Sequence, residues 1–547
     1  MKKLIIIAIS FLAFFQFKCG ENRMKADKIF HNAQVYTVDP KFSIAEAFAV
    51  IDGKIAEVGT SKEILEKFVS NNLFDLQGQF VYPGFIDPHS HFYGFGAMQF
   101  KANLVGTGSL EEVIETVKSH HNEFPSKWIQ GRGWDQNDWE EKEFPTWEKL
   151  NQAFPDNPVL LTRIDGHAAL INKKALEEIG ISADTVLDGG TFEFRNGTFT
   201  GILIDNAIEV IIEKIPKFNH DQKMLAFKKA QEDCFTVGLT SVCDAGLDKD
   251  QILLIDSLHK SGKLKMRIYA MLNPTDENFE YFMKKGAYQT HQLTVSSVKL
   301  YADGALGSRG ARLIEPYSDD PENLGLFLHP EDYFQKWASR CIESGYQLNT
   351  HAIGDGGNRF VLDLYAQFLE KGNDKRWRIE HCQVVHPEDF ERFGDLNVIP
   401  SIQTTHATSD MYWASERLGS KRVKSAYAFK QLLNEAGTLA NGSDFPIESM
   451  NPLFGFYSGV VRKDHKGWPE NGFQVENALT REEALMAMTI WAAHANFEDD
   501  VKGSLETGKL ADFVLMKDDL MTASDVNLYK LEVEETWLSG ENVYKKE

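Results

Sequence analysis

The chain has 547 residues, 43% hydrophobic and 25% charged, with a formal net charge of −22. That length and apolar content suffice for a full barrel plus accessory elements, and no low-complexity segment, heptad array or solenoid repeat interrupts it. The acidic balance argues against nucleic acid as a partner, because phosphate binding needs a basic patch; five scattered cysteines without a C-x-x-C pair argue against a disulfide framework or a structural zinc ribbon.

The first segment, "MKKLIIIAISFLAFF", carries Lys2 and Lys3 and then an apolar run from Leu4 to Phe15. Such a run has the length of a signal-peptide core and is too short to span a bilayer. No A-x-A site follows. Instead "QFKCGEN" places Cys19 just past the run. This resembles a bacterial lipoprotein signal, in which the cysteine is lipidated and becomes the new N-terminus, although Gln16 and Lys18 depart from that pattern. The expectation is a leader over 1–23 and an exported periplasmic or membrane-anchored lipoprotein, touching the membrane only through Cys19. The alternative is a cytoplasmic protein starting at Met24. The other cysteines, Cys234, Cys243, Cys341 and Cys382, lie in apolar segments and read as buried small hydrophobes.

From Ala26 to Gln79 the pattern is short and β-like, with "IDGK" as a D-G hairpin turn. "KGSLETGKLADFVLMKDD" and "VEETWLSGENVYKKE" repeat that style at the other end. Two β-rich ends around a long middle predict one small β-sandwich built from 24–82 and 500–547.

The middle, 83–499, alternates strands and helices. Candidate strands are "FVYPGFID", "LTSVCDAG", "KMRIYAML", "VSSVKLYADG", "YQLNTHAIGD", "RWRIEHCQVV", "NVIPSIQTTH" and "TLANGSDFP"; helical stretches such as "DQKMLAFKKAQEDCFTVG" and "PEDYFQKWASRCIESG" lie between several of them. Eight such units predict an α/β fold, a (β/α)8 TIM barrel. The first interval is too long for one helix and holds further strand-like pieces, so an inserted lobe is expected at about 100–225.

The first barrel strand runs into His89-Ser90-His91. Residues i and i+2 of a strand share a face, so the two imidazoles project into one space, as a pair of zinc ligands would. Two ordinary polar residues at a strand end is the plainer reading. The other strands decide between them. Lys299 lies on the fourth, and His351, His381 and Asp444 end the fifth, sixth and eighth, all at the end where barrels carry their active sites.

This ordered set resembles the amidohydrolase superfamily, and within it the N-substituted formamide deformylase-like subgroup, through "GWDQNDW", "RIDGHAALINKKAL", "KLYADGALGSRGA", "THAIGD" and the closing Gly503 to Val514. The resemblance implies that His89, His91 and Asp444 hold a more buried metal, that His351 and His381 hold a more exposed one, and that Lys299 is carboxylated and bridges them. The cofactor would be two Zn2+, or another divalent metal that this ligand set suits. A lysine ammonium cannot ligate a cation, whereas its carbamate supplies two oxygens and the opposite charge. The alternative for Lys299 is a buried amine paired with Asp303.

Trp134, Asp135 and His167 fall in the lobe, where they either contact substrate or order the lobe itself. Arg309 follows the fourth strand on a glycine-rich loop, either clamping a substrate carboxylate or carbonyl or pinning the loop. His406 ends the seventh strand and is at best substrate-facing; His120, His121, His220, His259, His465 and His494 have no strand-end context. The function expected is metal-dependent hydrolysis of a C–N bond other than a peptide bond, most simply in a small-molecule linear N-acyl or N-formyl amide, with Asp444 moving the proton. The rivals are a cyclic amidase or deaminase of the same superfamily, the latter disfavoured by the lack of a glutamate beside His351, and a non-catalytic binding lipoprotein.

Overall fold

The computed structural model describes residues 23–547 apart from 165, 167 and 181–189. Cys19, the leader and His167 therefore lie outside the described residues. Among the described residues no helix is long and apolar enough to cross a membrane.

Both chain ends build one sandwich. A four-stranded sheet orders Lys54–Gly59, Ala47–Ile51, Lys28–His31 and Leu73–Asp75; a six-stranded sheet orders Glu541–Lys545, Val533–Leu538, Phe513–Met516, Phe80–Pro83, Gln34–Tyr36 and Ile44–Ala45. Asp52 and Gly53 both take positive φ, 50° and 73°, as a two-residue hairpin demands. Alternate residues of the two sheets close an aromatic core: Phe30 stacks on Phe48 at 4.9 Å, and Phe513 on Trp537 at 5.4 Å.

Strand Phe80–Pro83 passes through Gly84 directly into the barrel. A Cβ at Gly84 would lie 2.5 Å from the Thr240 side chain, so this junction needs glycine. Eight parallel strands follow: β1 (Phe85–Ser90), β2 (Leu239–Leu247), β3 (Arg267–Leu272), β4 (Leu293–Tyr301), β5 (Gln347–Ala352), β6 (Arg378–His381), β7 (Ile399–Ile402) and β8 (Ala440–Asn441). The short β8 meets β1 at the mouth, where Asp444 N–H donates to His89 O and His91 N–H to Phe445 O, each at 2.8 Å. Helices such as His220–Thr236 and Glu331–Ser344 pack outside, the latter ended by Gly345 at φ 73°. The α/β barrel, terminal sandwich and inserted lobe expected from the sequence are the observed architecture.

Two local expectations are corrected. The seventh strand stops at Ile402, and Thr404–Asp410 is helical, so His406 lies on a helix and does not end the strand. Asp444 lies beyond the two-residue β8, at φ 60°. Between β1 and β2 the lobe forms its own six-stranded sheet in the order Lys101–Asn103, Ile129–Trp134, Val159–Arg163, Ala168–Ile171, Thr198–Asp205 and Gly190–Arg195. Its core, with Trp134, Leu161, Leu170 and Ile202, is separate from that of the barrel.

Candidate active site

Strand alternation points Asp87 and His89 inward, and both are buried. The His89 Nδ1–H donates to Glu380 Oε2 at 2.5 Å, which leaves the Nε2 lone pair facing the barrel interior. Asp444 Oδ1 lies 3.6 Å from that nitrogen and 3.2 Å from His91 Nε2. These three ligand atoms fall within 4.8 Å of one another. Asp444 Oδ1 is buried and lacks a well-formed hydrogen bond, and the three ligand atoms converge on one space, as ligands around a cation do. His91 is the most open of the three, its side chain 32% exposed.

His381 and His351 stand beside this group, with ring centroids 4.8 Å from His89 to His381 and 4.5 Å from His381 to His351. The His381 Nδ1–H donates to Gln403 Oε1 at 2.7 Å, again leaving Nε2 bare, and His351 Nε2 is buried without a hydrogen bond, 3.5 Å from Asp303 Oδ1. Lys299 Nζ reaches into the same space, 3.1 Å from His89 Nε2. Parallel register sets the depth: Lys299 pairs with Asn349, Tyr301 with His351, and Ala352 with His381, so the lysine sits one pleat below the histidines.

The protonation states suit cation binding. Burial, with the Lys299 charge behind it, pushes His351 down to about 3; burial also holds His89 and His381 below the usual imidazole value. All three are neutral near pH 7 and able to ligate. Burial likewise lowers the Lys299 amine to about 8, against the pull of Glu380 and Asp444. Burial opposes the charge on Asp444, but contact with His91 and His89 outweighs it and keeps the carboxyl ionised. Neutral imidazoles, an ionised carboxylate and unpartnered buried ligand atoms fit a divalent cation.

Residues 72–544 match the amidohydrolase family. The chain belongs to that family. It is 32% identical over 96% of its length to the putative amidohydrolase YtcJ of Bacillus subtilis, which it covers in full. It is 25% identical over 95% of its length, and 98% of the relative's, to the N-substituted formamide deformylase of Arthrobacter pascens. Among solved structures, an uncharacterized metal-dependent hydrolase from Pyrococcus horikoshii superposes with a TM-score of 0.78 at 29% identity, covering 91% of this chain and 99% of the other. Metal-dependent hydrolysis is the chemistry of the family.

In this amidohydrolase Lys299 is not paired with Asp303. That carboxylate accepts three backbone N–H bonds, from Arg312 at 2.9 Å, Ile353 at 3.0 Å and Gly354 at 2.8 Å, and orders the loops after β4 and β5. Two of the lobe candidates and Arg309 have partners of their own. Trp134 is buried in the lobe core and donates to Leu161 O at 2.7 Å. Asp135 accepts from Arg163 at 2.6 Å on the same sheet. Arg309 forks onto Asp319 at 3.1 and 3.0 Å, with Arg417 on the same carboxylate, an arrangement that ties its loop down.

Glu380 was not singled out by the sequence, although it is fully buried and touches His89. Strict alternation on β6 turns Arg378 and Glu380 inward and His381 outward. His381 joins the site because its φ of 79° breaks the alternation at the strand end. The detectable signal was the pairing of a buried Arg and Glu at i and i+2 on a barrel strand.

Proposed function

We propose that this amidohydrolase cleaves the C–N bond of a linear N-acyl or N-formyl small-molecule amide. The convergence of His89, His91 and Asp444, with Lys299 beside them and His351 and His381 adjacent, carries the reading. His89, His91 and Asp444 would hold one divalent cation and His351 and His381 a second, with Lys299, as its carbamate, serving as a ligand between the two groups; zinc suits the set. When bound, such cations would supply Lewis acidity, lowering the pKa of water toward neutrality and polarising a carbonyl. Glu380 and Gln403 fix the ligand tautomers of His89 and His381. Asp444 accepts the proton of the attacking water and delivers it to the departing nitrogen, which leaves only when protonated.

A linear amide is favoured over ring deamination for two reasons. Glu380 is tied to His89 and so is not placed to protonate a ring, and the likeness to the N-substituted formamide deformylase runs over nearly the whole chain. The test is a screen of N-formyl and N-acyl amines and amino acids with zinc-loaded protein, following release of the amine. Turnover of a cyclic amide or an aminated ring, with every linear amide untouched, would overturn the linear assignment.

The leader and Cys19 support export with lipid anchoring. Mass spectrometry of the mature N-terminus tests this: a lipidated Cys19 is expected, and a chain beginning at Met24 would instead identify a cytoplasmic enzyme.

A further inference from the structure

Three histidines around the site have one ring nitrogen held by a neighbour, and the neighbours differ. His89 and His381 face acceptors, Glu380 Oε2 and Gln403 Oε1. Their Nδ1 atoms therefore carry the protons and their Nε2 atoms are bare. His406 faces a donor: Gln383 Nε2 lies 2.9 Å from His406 Nδ1. An amide NH2 only donates, so Nδ1 of His406 is the acceptor and its proton sits on Nε2. A metal ligand needs a bare nitrogen, so His406 is built as a hydrogen-bond donor.

That donor has no recipient among the described residues. His406 Nε2 is buried without a partner. The nearest carboxylate oxygen, Asp444 Oδ2, is 4.0 Å away, beyond hydrogen-bond range. Two further donors just after β7, Gln403 Nε2 and Thr405 Oγ1, are also buried and unpartnered. Gln403 is anchored to the ligand side through His381, and the His406 ring lies 6.0 Å from that of His381 in a stacked orientation. Buried donors without acceptors are costly and uncommon. Three within four residues, beside the proposed proton shuttle, point to an acceptor that arrives with the substrate.

We propose that the segment Gln403–His406 is the substrate-recognition element, and that His406 Nε2–H donates to the substrate oxygen that gains negative charge beside Asp444. The ligand class is a carbonyl compound that passes through a tetrahedral oxyanion. A donor fixed in place before the reaction stabilises that charge without reorganising. For its catalytic consequence the inference rests on the hydrolase reading above; for binding it does not.

The probe is methylphosphonate, a small tetrahedral oxyanion, titrated into cobalt-loaded protein and followed by the visible absorption of the metal. His406→Phe removes the donor and His406→Gln keeps an N–H near the Nε2 position. His406→Asn reaches only as far as Nδ1 and guards against a misfolded phenylalanine variant. The inference expects unchanged metal content in all three, phosphonate affinity weakened about tenfold or more in the Phe and Asn variants, and substantial recovery in the Gln variant. With any amide that proves to be a substrate, kcat falls about 10²–10³-fold in the Phe and Asn variants with little change in KM. Phosphonate affinity within about twofold of wild type in both the Phe and Asn variants, at full metal content, would overturn it. A wild-type protein that binds phosphonate but hydrolyses no linear amide would instead count against the linear-amide reading, and the binding arm would still decide the role of His406.

Discussion

Glu380 and His89 are joined by a 2.5 Å hydrogen bond, and both side chains are 0% exposed. The pair spans the barrel from β6 to β1. Burial opposes the Glu380 charge, but the His89 partner and the Lys299 and Arg378 cations hold the carboxyl down at about 2. It therefore stays ionised throughout the working range and keeps the His89 proton on Nδ1.

Glu380→Gln retains an acceptor but loses the charge. Metal affinity is expected to fall about 10–100-fold, as for other outer partners of ligating histidines, measured by competition with a chelator. The folded-state pKa is depressed, so this carboxylate contributes stability above its ordinary pKa of 4.5 and loses it as pH falls toward about 2. The acid limb of a melting-temperature profile should therefore be shallower in Glu380→Gln than in wild type. Equal metal affinity in the two proteins would show that the pair is only structural.

Lys299 is expected to be a carbamate. Only the neutral amine attacks CO2, and an amine at about 8 is largely protonated at pH 6.5 and largely neutral at pH 8.5. Reactivation of metal-free protein by zinc, compared at equal dissolved CO2, should therefore be at least about tenfold faster at pH 8.5. With 13C-bicarbonate, a carbamate carbon should appear by NMR. Lys299→Ala should lose most activity and regain part of it with short carboxylic acids, and elemental analysis should give about two metals in wild type. A firm value near one metal, with no carbamate signal, would remove the bridge.

Asp444 is expected to move the proton. Asp444→Asn keeps one oxygen ligand and the side-chain size, so metal content should change little, while kcat falls by about 10²–10⁴. Near-native kcat with metal retained would pass the proton role to another group.

Trp134 and Arg309 should separate from the catalytic residues. Trp134→Ala is expected to destabilise the lobe by about 3–5 kcal/mol, as other buried tryptophan truncations do, read as an earlier thermal transition with metal content unchanged. Arg309→Ala should leave KM within about twofold of wild type, because its guanidinium is occupied by Asp319. A large rise in KM would return Arg309 to the substrate.

The barrel and the terminal sandwich were legible from the sequence, and so was the placing of His89, His91, Lys299, His351, His381 and Asp444 toward one end of the barrel. Most of this follows from local rules. Period-two alternation identifies the strands and the shared face of His89 and His91; Asp52-Gly53 marks its own hairpin; and a barrel strand brings its C-terminal residues to the mouth wherever the chain places it. The partners of those residues were not legible. Glu380 meets His89 across 291 positions of chain and Gln403 meets His381 across 22, distances that only barrel closure and register bring within hydrogen-bond reach. Local backbone exceptions had the same effect: positive φ at His381 and Asp444 turns in side chains that alternation alone would misplace, and the helical turn after Ile402 carries His406 off the strand. The sequence alone determined which side chains could ligate a metal and near the ends of which barrel strands they fall. The tertiary structure decided which ring nitrogen of each histidine is bare, because that depends on whether the neighbour across the barrel accepts a proton, as Glu380 does, or donates one, as Gln383 does.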